Sequence, residues 1–250
     1  MHITRVTFTG ADTNTRIDDM IKISSMFPFV EWGILFSESR QGLESRYPVQ
    51  EWIIELLDRV EHIPFVQLSA HLCGGWVRAI LDEGVFSFLY RPSLRFNRIQ
   101  LNLSTDAMRT ALILKPALMS ALPDKARRPI ILGCNYANLS FRRQVFTRSN
   151  IYPLFDASGG RGKTVSEWPN QLMEFDDLNK PIYCGYSGGL APNNIKESLE
   201  AISKVTQENS EIWIDMESGV RTNNEFDLEK CTSVINSVLE FNDSTRTGNR

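Results

Sequence analysis

The sequence predicts an α/β protein with a single (β/α)8 barrel, an eight-stranded parallel TIM barrel. Short apolar runs recur along the 250 residues, and most are followed by a stretch with helical periodicity. This alternation is typical of a parallel sheet covered by helices on both faces. Eight such units use nearly the whole length, as expected for barrels of about 250 residues. We expect residues 1–240 to form the barrel and the polar residues 241–250 to form a flexible tail.

The first four units each join a strand pattern to an amphipathic segment. The β-branched run Ile3–Thr9 is closed by Gly10, and capping residues precede the apolar face of the segment Ile17–Met26. The next three units follow the same pattern. They are Glu31–Phe36 with Val49–Val60, Phe65–Ala70 with Gly74–Leu81, and Arg98–Leu103 with Asp106–Leu114.

The last four units begin after a breaker cluster at residues 123–128. In the seventh unit, apolar residues at helical spacing predict the helix Asn193–Val205. The predicted strands are Pro129–Leu132, Ile151–Phe155, Pro181–Cys184 and Glu211–Asp215. Ala137–Ser149 is an ambiguous helix in the fifth unit, and Leu228–Leu239 is the closing helix.

Composition excludes several classes of protein. A chain with 42% hydrophobic and 23% charged residues is not disordered. The net charge of -3 argues against a nucleic-acid partner, because phosphate neutralisation needs clustered Lys and Arg. The chain starts with polar residues and has no apolar stretch approaching about 18 residues, so we expect a cytoplasmic protein without a membrane partner. The four cysteines form no CxxC pair and predict neither a zinc site nor a disulfide framework.

Polar and small residues gather where the predicted strands end. In a (β/α)8 barrel these positions meet at one face, where active sites lie. The candidates are Thr9, Arg40, His71, Asn102, Asp156, Gly188, Gly189, Asp215, Glu217, Ser218 and Gly219.

The segment LFDASGGRGKTVSEWP, residues 154–169, is the most distinctive motif. Its part ASGGRGKT fits a relaxed phosphate-loop pattern, in which Lys163 adds positive charge beside the phosphates. That motif must open a long helix, but Pro169 stops any helix within about one turn. The segment therefore does not favour a nucleoside triphosphatase.

Four ordered segments resemble the phosphoribosylanthranilate isomerase family. LFDASGGRGKTVSEW is similar to the family's strand aspartate followed by GGTGKxxxW, and GYSGGLAPNNIKESLEAI (185–202) to its AGGLxPxNVxxAI. DMESGVRTNNEFDLEKCTSVI (215–235) is similar to DVSSGVExxxGxKDxxKI, and GILFSESR (33–40) to GFVFxxxSxR. The resemblance covers most of the chain and is densest in the last hundred residues.

The resemblance implies a site for a phosphorylated sugar. Phosphate would be held by backbone amides, and the candidates for this role are Gly188, Gly189, Ser218, Gly219 and Gly160. Arg40 would meet a substrate carboxylate, with Asp215 and Asn102 as further substrate-binding candidates. Asp156 matches the family's general acid. Thr9 stands where the family has its base, a cysteine, and a threonine hydroxyl without an activator cannot simply replace a thiol.

Three functions follow from this departure. The first is an aldose-ketose (Amadori-type) isomerase in which His71 or Glu217 has become the base. The second is a noncatalytic protein that binds or sequesters a phosphoribosyl ligand. The third is a metal-dependent hydrolase or lyase using Asp215, Glu217 and His71, although no close ligand pair such as HxH predicts a metal. We expect a small phosphorylated ligand, no cofactor, and a monomer or homodimer.

Overall fold

The structure, a computed structural model, describes residues 1–83, 96–102, 128–134, 150–156, 167–173 and 180–247. Eight parallel strands form a closed barrel in chain order, so that the last strand pairs with the first. The predicted (β/α)8 fold class is confirmed. The strands are β1 (His2–Thr9), β2 (Val30–Ser37), β3 (Gln67–Cys73), β4 (Arg98–Asn102), β5 (Ile130–Cys134), β6 (Ile151–Asp156), β7 (Cys184–Ser187) and β8 (Glu211–Met216).

Five α-helices lie among the described residues. They are α1 (Ile17–Met26), α2 (Gln50–Val60), α3 (Gly75–Glu83), α4 (Ile195–Ser203) and α5 (Leu228–Thr247). The predicted helix at 106–114 and the ambiguous segment at 137–149 lie outside the described residues. In the part of the chain that the structure describes, none of the helices is long and apolar enough to cross a membrane.

The strand residues alternate between the outside of the barrel and its interior, because successive side chains of a strand point to opposite faces. Val6, Phe8 and Ile34 belong to the large hydrophobic core. Thr7 and Glu31, by contrast, accept hydrogen bonds from Arg98 on β4, a strand that neighbours neither β1 nor β2. Such contacts cross the barrel, so these side chains face its interior.

Two strands lie further along the chain than the sequence predicted. β3 spans 67–73 instead of 65–70, because Val66 still belongs to a turn in which its N–H donates to the Ile63 carbonyl. β7 spans 184–187 instead of 181–184, because the Ile182 N–H donates to the Leu172 carbonyl outside the barrel ladder. The first shift matters for the site, since it places His71 within a strand instead of in the following loop.

The last helix also differs from the prediction. α5 continues to Thr247, past the predicted end at Leu239 and into the expected tail. Asn242 explains the extension, because its side chain accepts from the Ile3 N–H at 3.0 Å and donates to the Ile3 carbonyl at 2.9 Å. These bonds tie the helix to β1. Residues 248–250 lie outside the described part.

After β8, a short 3-10 helix (Ser218–Val220) leads into a hairpin of β9 (Arg221–Thr222) and β10 (Glu225–Phe226). Asn223 and Asn224 form its turn with φ values of 50° and 65°. Asparagine tolerates this left-handed region better than most residues, which suits a two-residue hairpin turn. The hairpin lies at the carboxyl-end face of the barrel, directly after the last strand.

Candidate functional site

The carboxyl ends of the strands form a mouth, which we define by the interior-facing residues at these ends. Those residues are Thr9, Ser37, Cys73, Asn102, Gly133, Asp156, Ser187 and Asp215. One row of paired residues crosses three neighbouring strands, with Asp156 of β6 beside Ser187 of β7 and Ser187 beside Asp215 of β8. Adjacent strands are about 4.8 Å apart, so the two carboxylate-bearing residues are about 10 Å apart along this row.

Thr9, Asp215 and His71 form a buried cluster at the base of the mouth. The Thr9 hydroxyl donates to Asp215 Oδ1 at 2.8 Å, and His71 Nδ1 lies 3.5 Å from the same hydroxyl oxygen. Gly33 makes this approach possible: a Cβ there would overlap Thr9 Oγ1 and lie 2.9 Å from His71 Nε2. The cluster therefore joins β1, β3 and β8 through the one glycine of β2.

Burial sets the protonation of this cluster. It raises the pKa of Asp215 from 3.8 to about 7, although the hydrogen bond from Thr9 opposes the change. The nearby charge of Glu217 adds to the increase. Burial also lowers the pKa of His71 to about 3, so its ring is neutral at physiological pH. Asp215 can thus exchange a proton near neutrality, whereas His71 cannot.

Below the cluster, a buried ion pair fills the barrel interior. Arg98 contacts Glu31 through two of its nitrogens, and Arg5 and Thr7 add hydrogen bonds to the same carboxylate. Burial alone would raise the pKa of Glu31, but Arg98 and Arg5 outweigh it and hold the pKa below its ordinary value. Arg98 also stacks 4.7 Å from the ring centre of Trp213. TIM-barrel interiors usually consist of bulky branched residues, so this charged floor is a departure.

On the β3–β4 side, the mouth carries a group of aromatic and polar side chains. The guanidinium of Arg40 lies 4.8 Å from the ring centre of Tyr47, which packs against Cys73. Asn102 donates to the Cys73 sulfur at 3.2 Å. Burial raises the pKa of Cys73, so its thiol stays protonated at neutral pH. Arg40 and Asn102, predicted separately from the sequence, are therefore linked through two intervening side chains.

Glu217 lies at the rim and forms an ion pair with Arg46. Its side chain is 34% exposed, in contrast to the buried Asp215 two residues before it. Sequence reasoning missed Arg46. The repeated Ser–Arg spacing in SESRQGLESR placed a second arginine in the same loop, but nothing local indicated which carboxylate it would meet.

The glycines predicted to bind phosphate lie at a junction of two loops. Gly188 and Gly189 have φ values of 119° and 73°, a region that favours glycine. The Asn194 side chain donates to the Gly189 carbonyl at 2.8 Å and accepts from the Ala191 N–H at 2.9 Å, which shapes the loop after β7. Gly219 packs so tightly on this loop that a Cβ would overlap the Leu190 carbonyl oxygen. Ser218 precedes Gly219 in the 3-10 helix.

Of the predicted strand aspartate and the glycine-rich segment that follows it, only the aspartate lies among the described residues. Asp156 is the last residue of β6 and is partly exposed in the mouth. Gly160 and the rest of ASGGRGKT, including Lys163, lie outside the described residues. Within the described ranges, no three His, Cys, Asp or Glu side chains are grouped as a metal site.

A second buried ion pair, which sequence reasoning also missed, supports the mouth from outside. Arg221 contacts Asp12 at 3.1 Å and donates to the Gly10 carbonyl and to Ser45 Oγ. Asp12 also accepts from the Phe226 N–H at 2.7 Å. The network ties the loops after β1, β2 and β8 together. It appears in the sequence only as isolated charges far apart in the chain.

The fold and this mouth define a (β/α)8 barrel with buried polar and titratable side chains at its carboxyl-end face. Residues 130–237 match the family model of N-(5'-phosphoribosyl)anthranilate (PRA) isomerase. The N-(5'-phosphoribosyl)anthranilate isomerase of Streptococcus mutans serotype c is 38% identical over 97 residues, which are 38% of this chain and 44% of that protein. The matched region thus spans less than half the length of this curated relative.

Solved structures extend the likeness in fold to the whole barrel. The phosphoribosyl anthranilate isomerase of Thermotoga maritima has a TM-score of 0.53 at 17% identity, and the alignment covers 95% of this chain and 99% of that one. The Pyrococcus furiosus N-(5'-phosphoribosyl)anthranilate isomerase has a TM-score of 0.54 at 11% identity, with the same two coverages. Another such isomerase, with a TM-score of 0.53 at 17% identity and again the same coverages, was solved with reduced 1-(o-carboxyphenylamino)-1-deoxyribulose 5-phosphate. The resemblance of this chain to the phosphoribosylanthranilate isomerase family is confirmed.

Proposed function

We propose that this protein binds a phosphorylated sugar at the mouth of its barrel and isomerises it from an aldose amine to a ketose amine. The observation that carries the proposal is the junction of Gly219 with Leu190, which brings the loops after β7 and β8 together. Backbone amides at such loops are suited to phosphate in barrels of this kind. Because the matched family segment, 130–237, includes both loops, it supports the same ligand class.

The rest of the mouth suits the remainder of such a ligand. A relative was solved with a ligand that carries a ribulose phosphate and a carboxyphenyl group. In this chain, Arg40 is the candidate partner for a carboxylate, supported by its stacking on Tyr47. Asp156 is the candidate acid that protonates the sugar ring oxygen. His71 and Glu217 remain predicted bases, but the low pKa of His71 and the ion pair of Glu217 do not favour either of them.

Titration with ribose 5-phosphate tests the binding part of the proposal. Gly189→Ala strains a backbone with φ of 73° at the predicted phosphate loop. The control Gly74→Ala strains one with φ of 60° after β3, where a Cβ lies within 4 Å of no atom in the described part of the chain. We expect Gly189→Ala to weaken binding about tenfold or more, because a charged hydrogen bond is worth about 1.5–3 kcal/mol. Equal affinities in the two variants, or no binding by the wild type, contradict the proposed phosphate site.

Turnover of N-(5'-phosphoribosyl)anthranilate tests the catalytic part. One observation favours a second function, a noncatalytic phosphoribosyl-binding protein: Thr9 occupies the position at which the resemblance expects the thiol base. Ribose phosphate binding without turnover between about pH 5 and pH 9 is the result that supports this second function.

A further inference from the structure

We infer that Asp215 is the group that removes the substrate's C2' proton, and that Thr9 positions its carboxylate for this step. This inference rests on the proposed isomerase function and assigns the base that the sequence left open. Thr9 does not act as a base itself, because its hydroxyl donates to Asp215 at 2.8 Å. It holds the carboxylate beside the position at which the resemblance expects a thiol.

Asp215 lies where a base that removes the C2' proton is needed, opposite the candidate acid Asp156. It belongs to the row Asp156–Ser187–Asp215, so the candidate acid and the proposed base face the same space from strands separated by one strand. The separation of about 10 Å along the row leaves room for a sugar between the two side chains. Asp215 retains 6% of its surface exposed, and its Oδ2 accepts no hydrogen bond from any described residue. That oxygen is available to a proton of the ligand.

The cluster around Asp215 is built to hold it in one orientation. Thr9 is held between Asp215 and the neutral ring of His71, and Gly33 is the residue that leaves space for both. The nearby charged groups are Glu217 at the rim and the Glu31–Arg98 pair beneath. Burial dominates over these charges and brings the pKa of Asp215 to about 7, the range in which a general base works best at physiological pH.

The carboxyl groups of Asp156 and Asp215 account for every proton transfer of the isomerisation. Asp156 gives a proton to the ring oxygen, the C1'–O bond breaks with its electron pair going to oxygen, and the nitrogen lone pair forms a C1'=N bond. Asp215 takes the C2' proton; the C–H pair becomes a C1'=C2' bond, and the C1'=N π pair returns to nitrogen. The enol proton then passes to Asp156 and Asp215 returns its proton to C1', which leaves the ketose and restores both groups.

The test combines turnover, pH profile and ligand binding in five proteins: the wild type, Asp215→Asn, Thr9→Val, Thr9→Ser and, as a matched surface control, Asp58→Asn. We expect the wild-type kcat/KM for N-(5'-phosphoribosyl)anthranilate to rise with pH through about 7. Asp215→Asn should lower kcat about 10²–10⁴-fold, while its affinity for ribose 5-phosphate stays within threefold of the wild-type value. Thr9→Val should move the acid limb of the profile to higher pH, because the hydrogen bond from Thr9 lowers the pKa of Asp215 and its removal lets that pKa rise. Thr9→Ser should restore it, and Asp58→Asn should match the wild type.

A purely structural Thr9 would reduce kcat without moving the acid limb, and that result overturns the positioning role. Asp215→Asn with turnover near the wild-type value overturns the assignment of the base. Wild-type protein that binds ribose 5-phosphate but turns over no substrate also overturns it, while leaving the proposed phosphate site intact. A carbon-13 NMR titration of the aspartate carboxyls checks folding and assignment together: a signal titrating near pH 7 should be missing in Asp215→Asn and shifted upwards in Thr9→Val.

Discussion

Gly33→Ala is the substitution that most directly tests how the site is assembled. An added Cβ at this position overlaps Thr9 Oγ1 and lies 2.9 Å from His71 Nε2 and 3.0 Å from His71 Cε1. Both neighbours are packed in the barrel interior, so neither can move away freely. Rotation of the Thr9 side chain would relieve the first overlap, but it would break the hydrogen bond to Asp215.

The expected loss of stability has two parts. Overpacking in a filled interior costs about 1–3 kcal/mol, and the loss of a hydrogen bond to a charged group costs about 1.5–3 kcal/mol. The free energy of unfolding should therefore fall by about 4 kcal/mol. For a domain of this size, that corresponds to a Tm lower by roughly 8–16 °C.

Gly133→Ala is the matched control, because Gly133 also faces the interior from a barrel strand but a Cβ there has no atom of a described residue within 4 Å. We expect it to change the free energy of unfolding by less than about 1 kcal/mol, with slight stabilisation through the unfolded chain. Urea unfolding followed by tryptophan fluorescence and circular dichroism measures both variants. Equal stability of Gly33→Ala and Gly133→Ala would refute the close-approach reasoning. In Gly33→Ala, an added Thr9→Ala substitution should recover part of the loss.

Three further predictions concern stability. Asp215→Asn should be more stable than the wild type by up to roughly 4 kcal/mol at about pH 8 and similar to it below about pH 4. The reason is that folding raises the pKa of Asp215 from 3.8 to about 7, so the wild type loses stability as the pH rises between these values. A difference in urea unfolding that does not depend on pH contradicts this. Asn242→Ala removes two buried hydrogen bonds to the β1 backbone and should cost about 2 kcal/mol by the same method. Arg221→Met leaves Asp12 buried without its cation and should lower the free energy of unfolding by about 3–5 kcal/mol. The double variant Arg221→Met/Asp12→Asn should regain part of this stability. If it regains none, the ion pair is not the cause of the loss.

His71 illustrates what local sequence patterns could not predict. The run FVQLSA predicted a strand ending at residue 70, which left His71 in a loop at the mouth. The observed strand continues to Cys73, and His71 lies inside the barrel with a pKa of about 3 instead of near neutrality. A strand boundary shifted by three residues was enough to turn a candidate base into a buried, neutral ring. Propensity sets such boundaries only weakly, whereas the pairing of neighbouring strands sets them firmly.

Asp215 illustrates the reverse case. The sequence correctly predicted that it lies at the end of the last strand, but proposed it as a substrate-binding residue or, in one alternative, a metal ligand, and not as a base. Its partner Thr9 is 206 positions away, and the hydrogen bond between them forms because β8 closes the barrel against β1. Arg98 and Glu31 likewise meet across the interior, between strands that do not neighbour each other. These pairings depend on closure of the sheet.

The sequence alone therefore determined the barrel and the face at which the polar strand-end residues gather. Periodicity, strand order and local motifs carry that information, because each is written in residues close together in the chain. Only the tertiary structure decided which carboxylate Thr9 contacts and what protonation it has. The physical reason is that hydrogen-bond partners and burial arise from distant segments brought together by barrel closure, and burial controls the pKa of Asp215.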